Sequence, residues 1–267
     1  MPFAELNGGR IHYQIDGPGG DASGAPVVVL SHSLGTSLSM WDRQAPSLAL
    51  HFRVLRYDTR GHGASSVTPG PYAIEQLARD VLGLLDGLGI GRAHFCGLSL
   101  GGMIGMWLGV YAPGRLNKLV LANTATRIGS ADSWNARIAK VMQSGLEPVA
   151  AGVIERWFSR AFVARDPRTV ESMRQTLLQS APEGYAACCA AIRDADESSM
   201  IRKVGAKTLV IAGTLDPVTT PADGQFMVKQ IEGARYVELE AAHLSNIEAA
   251  QEFTETVMTF LAEPEAN

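Results

Sequence analysis

A serine set between glycines, Gly97-Leu98-Ser99-Leu100-Gly101, is the first feature of the chain able to do chemistry. A serine hydroxyl is a weak nucleophile and becomes effective when a neighbouring base takes its proton. Six histidines are available: His12, His32, His51, His62, His94 and His243. His12 alternates with apolar neighbours, His51 ends a helical pattern and His94 lies within an apolar strand, so all three read as structural or exposed. His32 and His62 follow strands and could shape a site. His243 stands apart, because Glu238-Leu-Glu-Ala-Ala-His243-Leu-Ser-Asn-Ile247 places it in a loop between a strand and a helix. An imidazole base needs an acid to fix its tautomer and stabilise its cation. Asp216, in Ala212-Gly-Thr-Leu-Asp216-Pro-Val, sits just past an apolar strand and between chain-turning residues. Asp194, Asp196 and Asp223 fall in helical or surface contexts and read as solvated acids. Attack on a carbonyl also develops an oxyanion, which backbone N–H groups must meet. The amide of Leu100, next after the nucleophile, is one expected donor. The other is expected from His32-Ser33-Leu34-Gly35-Thr36, at the amide of Leu34.

These groups are far apart in sequence, so a scaffold must gather them. Short apolar runs read as strands: Pro26–Leu30, Phe52–Tyr57, Ala93–Cys96, Lys118–Ala122, Thr208–Ala212 and Arg235–Leu239. Near-continuous apolar character is expected of strands buried on both faces of a parallel sheet. Helical patterns alternate with them. In Tyr72–Leu88 the apolar residues recur close to a 3.6-residue period, and Ile247–Leu261 also reads as a helix. Phe3–Leu6 and Ile11–Ile15, joined by Asn7-Gly8-Gly9, predict an antiparallel hairpin, and Gly17–Pro26 a surface loop. The alternation predicts an α/β fold with a mostly parallel sheet. Ser99 then falls on a turn between the strand ending at Cys96 and a helix over Gly101–Ala112, the setting a nucleophile elbow requires. The rhythm breaks over about 124–204, where helical windows fall near 133–144, 147–162, 168–180 and 183–195. This predicts a core of residues 1–123 and 205–267 with a helical cap inserted over 124–204, at the sheet edge where ligands bind in open α/β folds.

Composition narrows the function classes. The 267 residues carry 23 basic and 27 acidic side chains, a net charge of −4, without basic runs. Nucleic acid and anionic membranes are therefore poor partners. A hydrophobic fraction of 46% excludes a disordered chain. Residues 95–114 carry no charge, yet glycines at 97, 101, 102, 105, 109 and 114 favour a buried strand, turn and helix over a membrane span. Three cysteines, Cys96, Cys188 and Cys189, are an odd count with two adjacent, which argues against a disulfide framework. No cysteine or histidine cluster has metal spacing, and no cofactor is expected. The N-terminus has neither a basic nor an apolar leader region, so a cytoplasmic location is expected.

The His32-Ser-Leu-Gly35 loop, the stretch Asp58-Thr-Arg-Gly-His-Gly-Ala-Ser65, the Ser99 elbow and the Asp216/His243 pair together resemble the α/β-hydrolase superfamily, in order and over nearly the whole chain. In that family the Asp58–Ser65 stretch mostly braces the sheet and the oxyanion loop, which implies structural roles for Asp58 and Arg60. Many members have glycine where this chain has Ser33. Ser33-Leu-Gly-Thr-Ser-Leu-Ser-Met-Trp41, Tyr57–Ser65 and Ala122-Asn-Thr-Ala-Thr-Arg-Ile-Gly129 with Trp134-Asn-Ala-Arg137 are similar to 3-oxoadipate enol-lactone hydrolases, bacterial enzymes of the β-ketoadipate route of aromatic degradation. The resemblance implies hydrolysis of a small anionic lactone by Ser99, His243 and Asp216. Because the chain ends soon after its last helix, the decarboxylase domain fused in some lactonases is expected to be absent. An anionic substrate needs a cationic or hydrogen-bonding partner; Arg127 and Arg137 are the candidates, with Trp134 as an apolar wall. Trp157, Phe158, Phe162 and Tyr185 read as packing residues. A carboxylesterase, a perhydrolase and a non-catalytic ligand-binding protein of the same fold are the alternatives. Oligomeric state is not legible.

Overall fold

The computed structural model describes residues 2–6, 8–18 and 24–264. Eight strands form one sheet: β1 (Phe3–Leu6), β2 (Gly9–Asp16), β3 (Val27–Ser31), β4 (Arg53–Tyr57), β5 (Ala93–Leu98), β6 (Leu116–Ala122), β7 (Lys207–Gly213) and β8 (Arg235–Leu239). Their spatial order is β1-β2-β4-β3-β5-β6-β7-β8. β1 and β2 pair antiparallel, and β2 runs antiparallel to β4; every pairing from β4 to β8 is parallel. The predicted hairpin and all six predicted central strands are present. Asn7 of the hairpin turn, and residues 19–23 of the predicted surface loop, lie outside the described residues. β3 and β5 are buried at every position, which is why their sequences run apolar without alternation. β8 closes the sheet and is only partly buried.

The helices are α1 (Ala45–Leu48), α2 (Ile74–Gly87), α3 (Leu100–Tyr111), α4 (Ala131–Ser144), α5 (Glu147–Trp157), α6 (Arg160–Arg165), α7 (Pro167–Leu178), α8 (Pro182–Asp194), α9 (Pro221–Gln230), α10 (Ser245–Glu248) and α11 (Ala250–Ala262). The uncharged run 95–114 is the end of β5, the elbow and the buried helix α3. Among the described residues no helix is long and apolar enough to cross a membrane. Helices α4 to α8 all lie between β6 and β7 in the chain, and α4 packs along α8.

Two predicted helices are each broken in two. The window 147–162 divides into α5 and α6 because Phe158 is extended, at φ −132° and ψ 144°. Ser159 then caps α6 by accepting a hydrogen bond from the Phe162 amide. The C-terminal helix is interrupted at Ala249. Apolar periodicity continues through both breaks, so the sequence pattern alone does not reveal them. The first break lays residues 156–159 beside the loop that carries His243.

Candidate active site

Three strand ends meet at the carboxyl edge of the sheet. Ser99 follows β5, Asp216 follows β7 and His243 follows β8. Ser99 adopts φ 58° and ψ −113°, a region that side chains rarely occupy and that costs about 1–3 kcal/mol. The glycines around it explain how that conformation is accommodated. A Cβ at Gly97 would lie 2.1 Å from the Gly101 carbonyl oxygen, and one at Gly101 would lie 2.1 Å from the Ser31 carbonyl oxygen. The turn can therefore be this tight only with glycine at both positions.

His243 Nε2 lies 2.9 Å from Ser99 Oγ, and its Nδ1 lies 2.8 Å from Asp216 Oδ2. All three side chains are buried. Asp216 Oδ2 also accepts from Thr219 Oγ1 at 2.7 Å and Asn123 Nδ2 at 3.0 Å. Its Oδ1 accepts from the amides of Val218 at 2.8 Å and Thr219 at 3.2 Å. Burial alone would raise this carboxyl group, but the charge of His243 and this ring of donors hold it at about 2. Asp216 is thus an ionised acceptor throughout the neutral range. It requires Nδ1 of His243 to be the protonated nitrogen, which leaves Nε2 free to take the serine proton.

Sequence reasoning did not single out Asn123. Its backbone is strained at φ 41°, and its side chain ties three loops together. Nδ2 donates to Asp216 and to the Ala242 carbonyl at 3.2 Å, while Oδ1 accepts from Ser245 Oγ at 2.5 Å. Asparagine is among the residues that most readily accept positive φ. Its position directly after β6, another strand end at this edge, was the available signal.

The loop over Ser99 is fixed by buried histidines. His32 Nε2 accepts from the Thr59 amide at 2.9 Å, so Nδ1 carries the proton and donates to the Ser33 carbonyl at 2.8 Å. His62 Nε2 accepts from the Gly35 amide at 2.9 Å. Burial lowers both histidines, with His62 brought to about 3, so both are neutral. Asp58 Oδ1 accepts from the Leu38 amide at 2.7 Å, and its Oδ2 accepts from His12 Nδ1 at 2.6 Å and the Ala64 amide at 3.0 Å. Arg60 holds Asp80 through two buried contacts of 2.7 and 2.6 Å. Ser33 is accommodated without left-handed backbone, because the positive φ falls at Gly35. Leu34 lines the cavity above Ser99, and Leu100 opens α3, where first-turn amides have no intrahelical acceptor. Neither amide donates to another backbone group among the described residues.

The cavity above Ser99 and His243 has a volume of about 230 Å³. Its far wall belongs to the inserted helices. Trp134 lies on that wall, its ring fixed by donating from Nε1 to the Ile128 carbonyl at 2.7 Å. Arg137 lies there too, its guanidinium 4.8 Å from the Trp134 ring centroid. Arg127 does not reach the cavity. Its exposed side chain faces Asp196 at 4.0 Å, because Thr126 and Ile128 on either side turn inward and direct it out. The second cation is Arg156, from α5, which the sequence reading overlooked. Trp157 and Tyr185, expected to be packing residues, are buried and also line the cavity. Phe158 and Phe162 stack on one another at 5.1 Å, as packing residues do. Burial, and then the charge of Arg137, lower Arg156 from its ordinary value. Burial raises Tyr185, keeping its hydroxyl protonated beside Arg137. Among the described residues no acidic side chain lines the cavity, so its wall presents two guanidiniums and no carboxylate. No group of three or more His, Cys, Asp or Glu side chains among the described residues could hold a metal.

This arrangement can deliver a serine alkoxide to a carbonyl and return a proton to the leaving oxygen. The comparisons place the chain among known proteins. The family model for the alpha/beta hydrolase fold matches residues 26–250. The chain is 46% identical to 3-oxoadipate enol-lactonase 2 of Acinetobacter baylyi over 87% of each chain. It is 39% identical to 3-oxoadipate enol-lactonase 1 of the same organism, over 95% of this chain and 94% of that one. The crystal structure of the enol-lactonase from Burkholderia xenovorans LB400 superposes with a TM-score of 0.96 at 48% identity, covering 98% of this chain and all of that one. With a matching model over most of its length, and the elbow and sheet order in place, the chain belongs to the alpha/beta hydrolase fold family.

Proposed function

We propose that this protein hydrolyses the cyclic ester of 3-oxoadipate enol-lactone to 3-oxoadipate. The observation that carries this reading is a serine–histidine–aspartate relay opening into a small cavity whose opposite wall holds two guanidiniums and no carboxylate. The likeness to enol-lactonases adds to it. Ser99 is the nucleophile, His243 the base and Asp216 the acid that orients it. Ser99 Oγ attacks the ring carbonyl as its proton passes to His243 Nε2. The amides of Leu34 and Leu100 hold the resulting oxyanion. The ring C–O bond then breaks, and His243 returns the proton to the departing enol oxygen. The enol tautomerises to the ketone. Water, deprotonated by His243, attacks the acyl-enzyme and releases the acid and Ser99.

The substrate carries a free carboxylate, and Arg137 and Arg156 are its counter-charges, with Trp134 and Trp157 as apolar walls. An oriented guanidinium–carboxylate pair is the strong kind of hydrogen bond, and it fixes which face of the ring meets Ser99. Residues 124–204 act as a cap on a core of 1–123 and 205–267, and the enzyme works in the cytoplasm of a bacterium degrading aromatic compounds.

The test is turnover. Purified protein mixed with the enol-lactone should remove its ultraviolet absorbance rapidly, and Ser99→Ala should abolish that. Efficient cleavage of simple aryl esters without lactone turnover would replace the lactonase by a carboxylesterase. Tight lactone binding without turnover of either would replace it by a ligand-binding protein.

A further inference from the structure

Glu248 is a buried carboxylate that the relay does not use. It lies at the end of α10, one turn beyond His243. Its Oε2 accepts two amides at 3.1 Å each, that of Ala242, immediately before the base, and that of Ser159, in the break between α5 and α6. Its Oε1 accepts from the Ser159 hydroxyl. Around this carboxylate the two chain segments bond directly. The His243 amide donates to the Arg156 carbonyl at 3.4 Å, and the Leu244 amide donates to the Trp157 carbonyl at 3.0 Å. Arg165, from α6, adds a bond to the Glu248 carbonyl at 2.9 Å. The loop carrying the base is therefore held from the inserted helices as well as from the core. Residue 156 takes part twice, its carbonyl on the backbone of His243 and its guanidinium on the cavity wall.

We propose that Glu248 is a positioning residue for the base: it locks the segment Arg156–Ser159 against Ala242–Leu244, so that a ligand seated on Arg156 and the alignment of His243 with Ser99 depend on the same joint. The proposal rests on His243 being the base. A buried carboxylate suits this joint because both of its oxygens accept, so three donors are met at once, whereas an amide side chain has a single accepting oxygen. A joint that loosens by about 1 Å can cost on the order of a hundredfold in rate.

The experiment compares wild type with Glu248→Gln, Ser159→Ala and the double variant. Active sites are first titrated with an uncharged phosphonate, and kcat per titrated site is then measured on the lactone and on a neutral aryl ester. Glu248→Gln removes the charge and one of the two accepting oxygens from the joint and should lower kcat per site on both substrates by about tenfold to a hundredfold. It should also slow phosphonylation of Ser99 by a similar factor. Ser159→Ala should lower both less, and the double variant should be little worse than Glu248→Gln alone, because the two residues act through one joint. A purely structural role would lower Tm and the fraction of titratable sites while leaving kcat per site unchanged, and that result overturns the proposal. Strict additivity of the two variants overturns it too. If Glu248→Gln does not fold, Ser159→Ala decides by the same readout. A wild type that cleaves the ester but not the lactone removes the proposed substrate and leaves this test intact.

Discussion

The two walls of the cavity are built on opposite plans. On the core side, polar groups are matched to partners. Asp216 accepts five hydrogen bonds, and His32 and His62 are neutral, buried and each bonded to a fixed amide. On the side of the inserted helices, Arg137 and Arg156 face the cavity half-buried, with no acid beside them in its lining among the described residues. The difference separates two tasks. A proton relay works when its dipoles are already oriented and need no reorganisation. Recognition of an anion works when a positive charge is left for the ligand to satisfy. On the proposed reading the core wall supplies the chemistry, and the inserted wall selects what undergoes it.

Variants can break this contrast, and the largest effect belongs to the relay. Ser99→Ala should lower kcat on every substrate by on the order of 10⁴-fold or more, and adding His243→Ala should cost little further because the residues act as one unit. Single-turnover kinetics on lactone and ester would check it. Asn123→Gly comes next. It keeps the backbone free to hold φ 41° but deletes the amide shared by Asp216 and Ala242. The expected loss is up to about a hundredfold in kcat with KM nearly unchanged.

Changes on the inserted wall should behave otherwise. Arg137→Ala and Arg156→Ala should each raise KM for the anionic lactone about tenfold to a hundredfold, the range of a charge-assisted hydrogen bond. Neutral-ester hydrolysis should be nearly unaffected. Equal losses on both substrates would erase the division between the walls. Arg127→Ala should change either substrate by less than about twofold, as at other exposed positions.

A prediction of another kind sharpens the picture of the core wall and is read in stability, not in activity. His62 is held neutral, at about 3, whereas an unfolded chain would protonate it near 6.5. Between those values the unfolded state binds more protons, so stability falls as pH drops from about 6.5 toward 3, by up to about 1.4 kcal/mol per pH unit. His32, also lowered, acts in the same direction. His62→Gln keeps an acceptor for the Gly35 amide but cannot titrate. Thermal unfolding from pH 7 to 4 should show a flatter fall in Tm than wild type. An unchanged slope would mean that His62 is not the group taking up the proton.

Much of this was legible beforehand. The strands declared themselves through apolar runs such as Val27–Leu30, because burial on both faces leaves no place for polar residues. The elbow was legible because its tight turn admits only glycine at 97 and 101. His243 and Asp216 were legible because each lies in the loop after a strand, and parallel strands bring such loops to one edge. The break at Phe158 was hidden, since the apolar period continues across it. Arg127 was put forward and Arg156 passed over for a related reason. Spacing along a helix or loop fixes which residues share a face, but not which face another element covers.

What the sequence determined by itself is local and repetitive: the order of strands and helices, the turn that presents Ser99, and the types of residue able to move a proton. These follow from short-range sterics and from burial. The tertiary structure decided which cations reach the cavity, that Asn123 joins three loops, and that Glu248 binds the inserted helices to the loop of His243. Each of those depends on contacts between segments far apart in the chain, and their geometry exists only once the sheet and the inserted helices have packed.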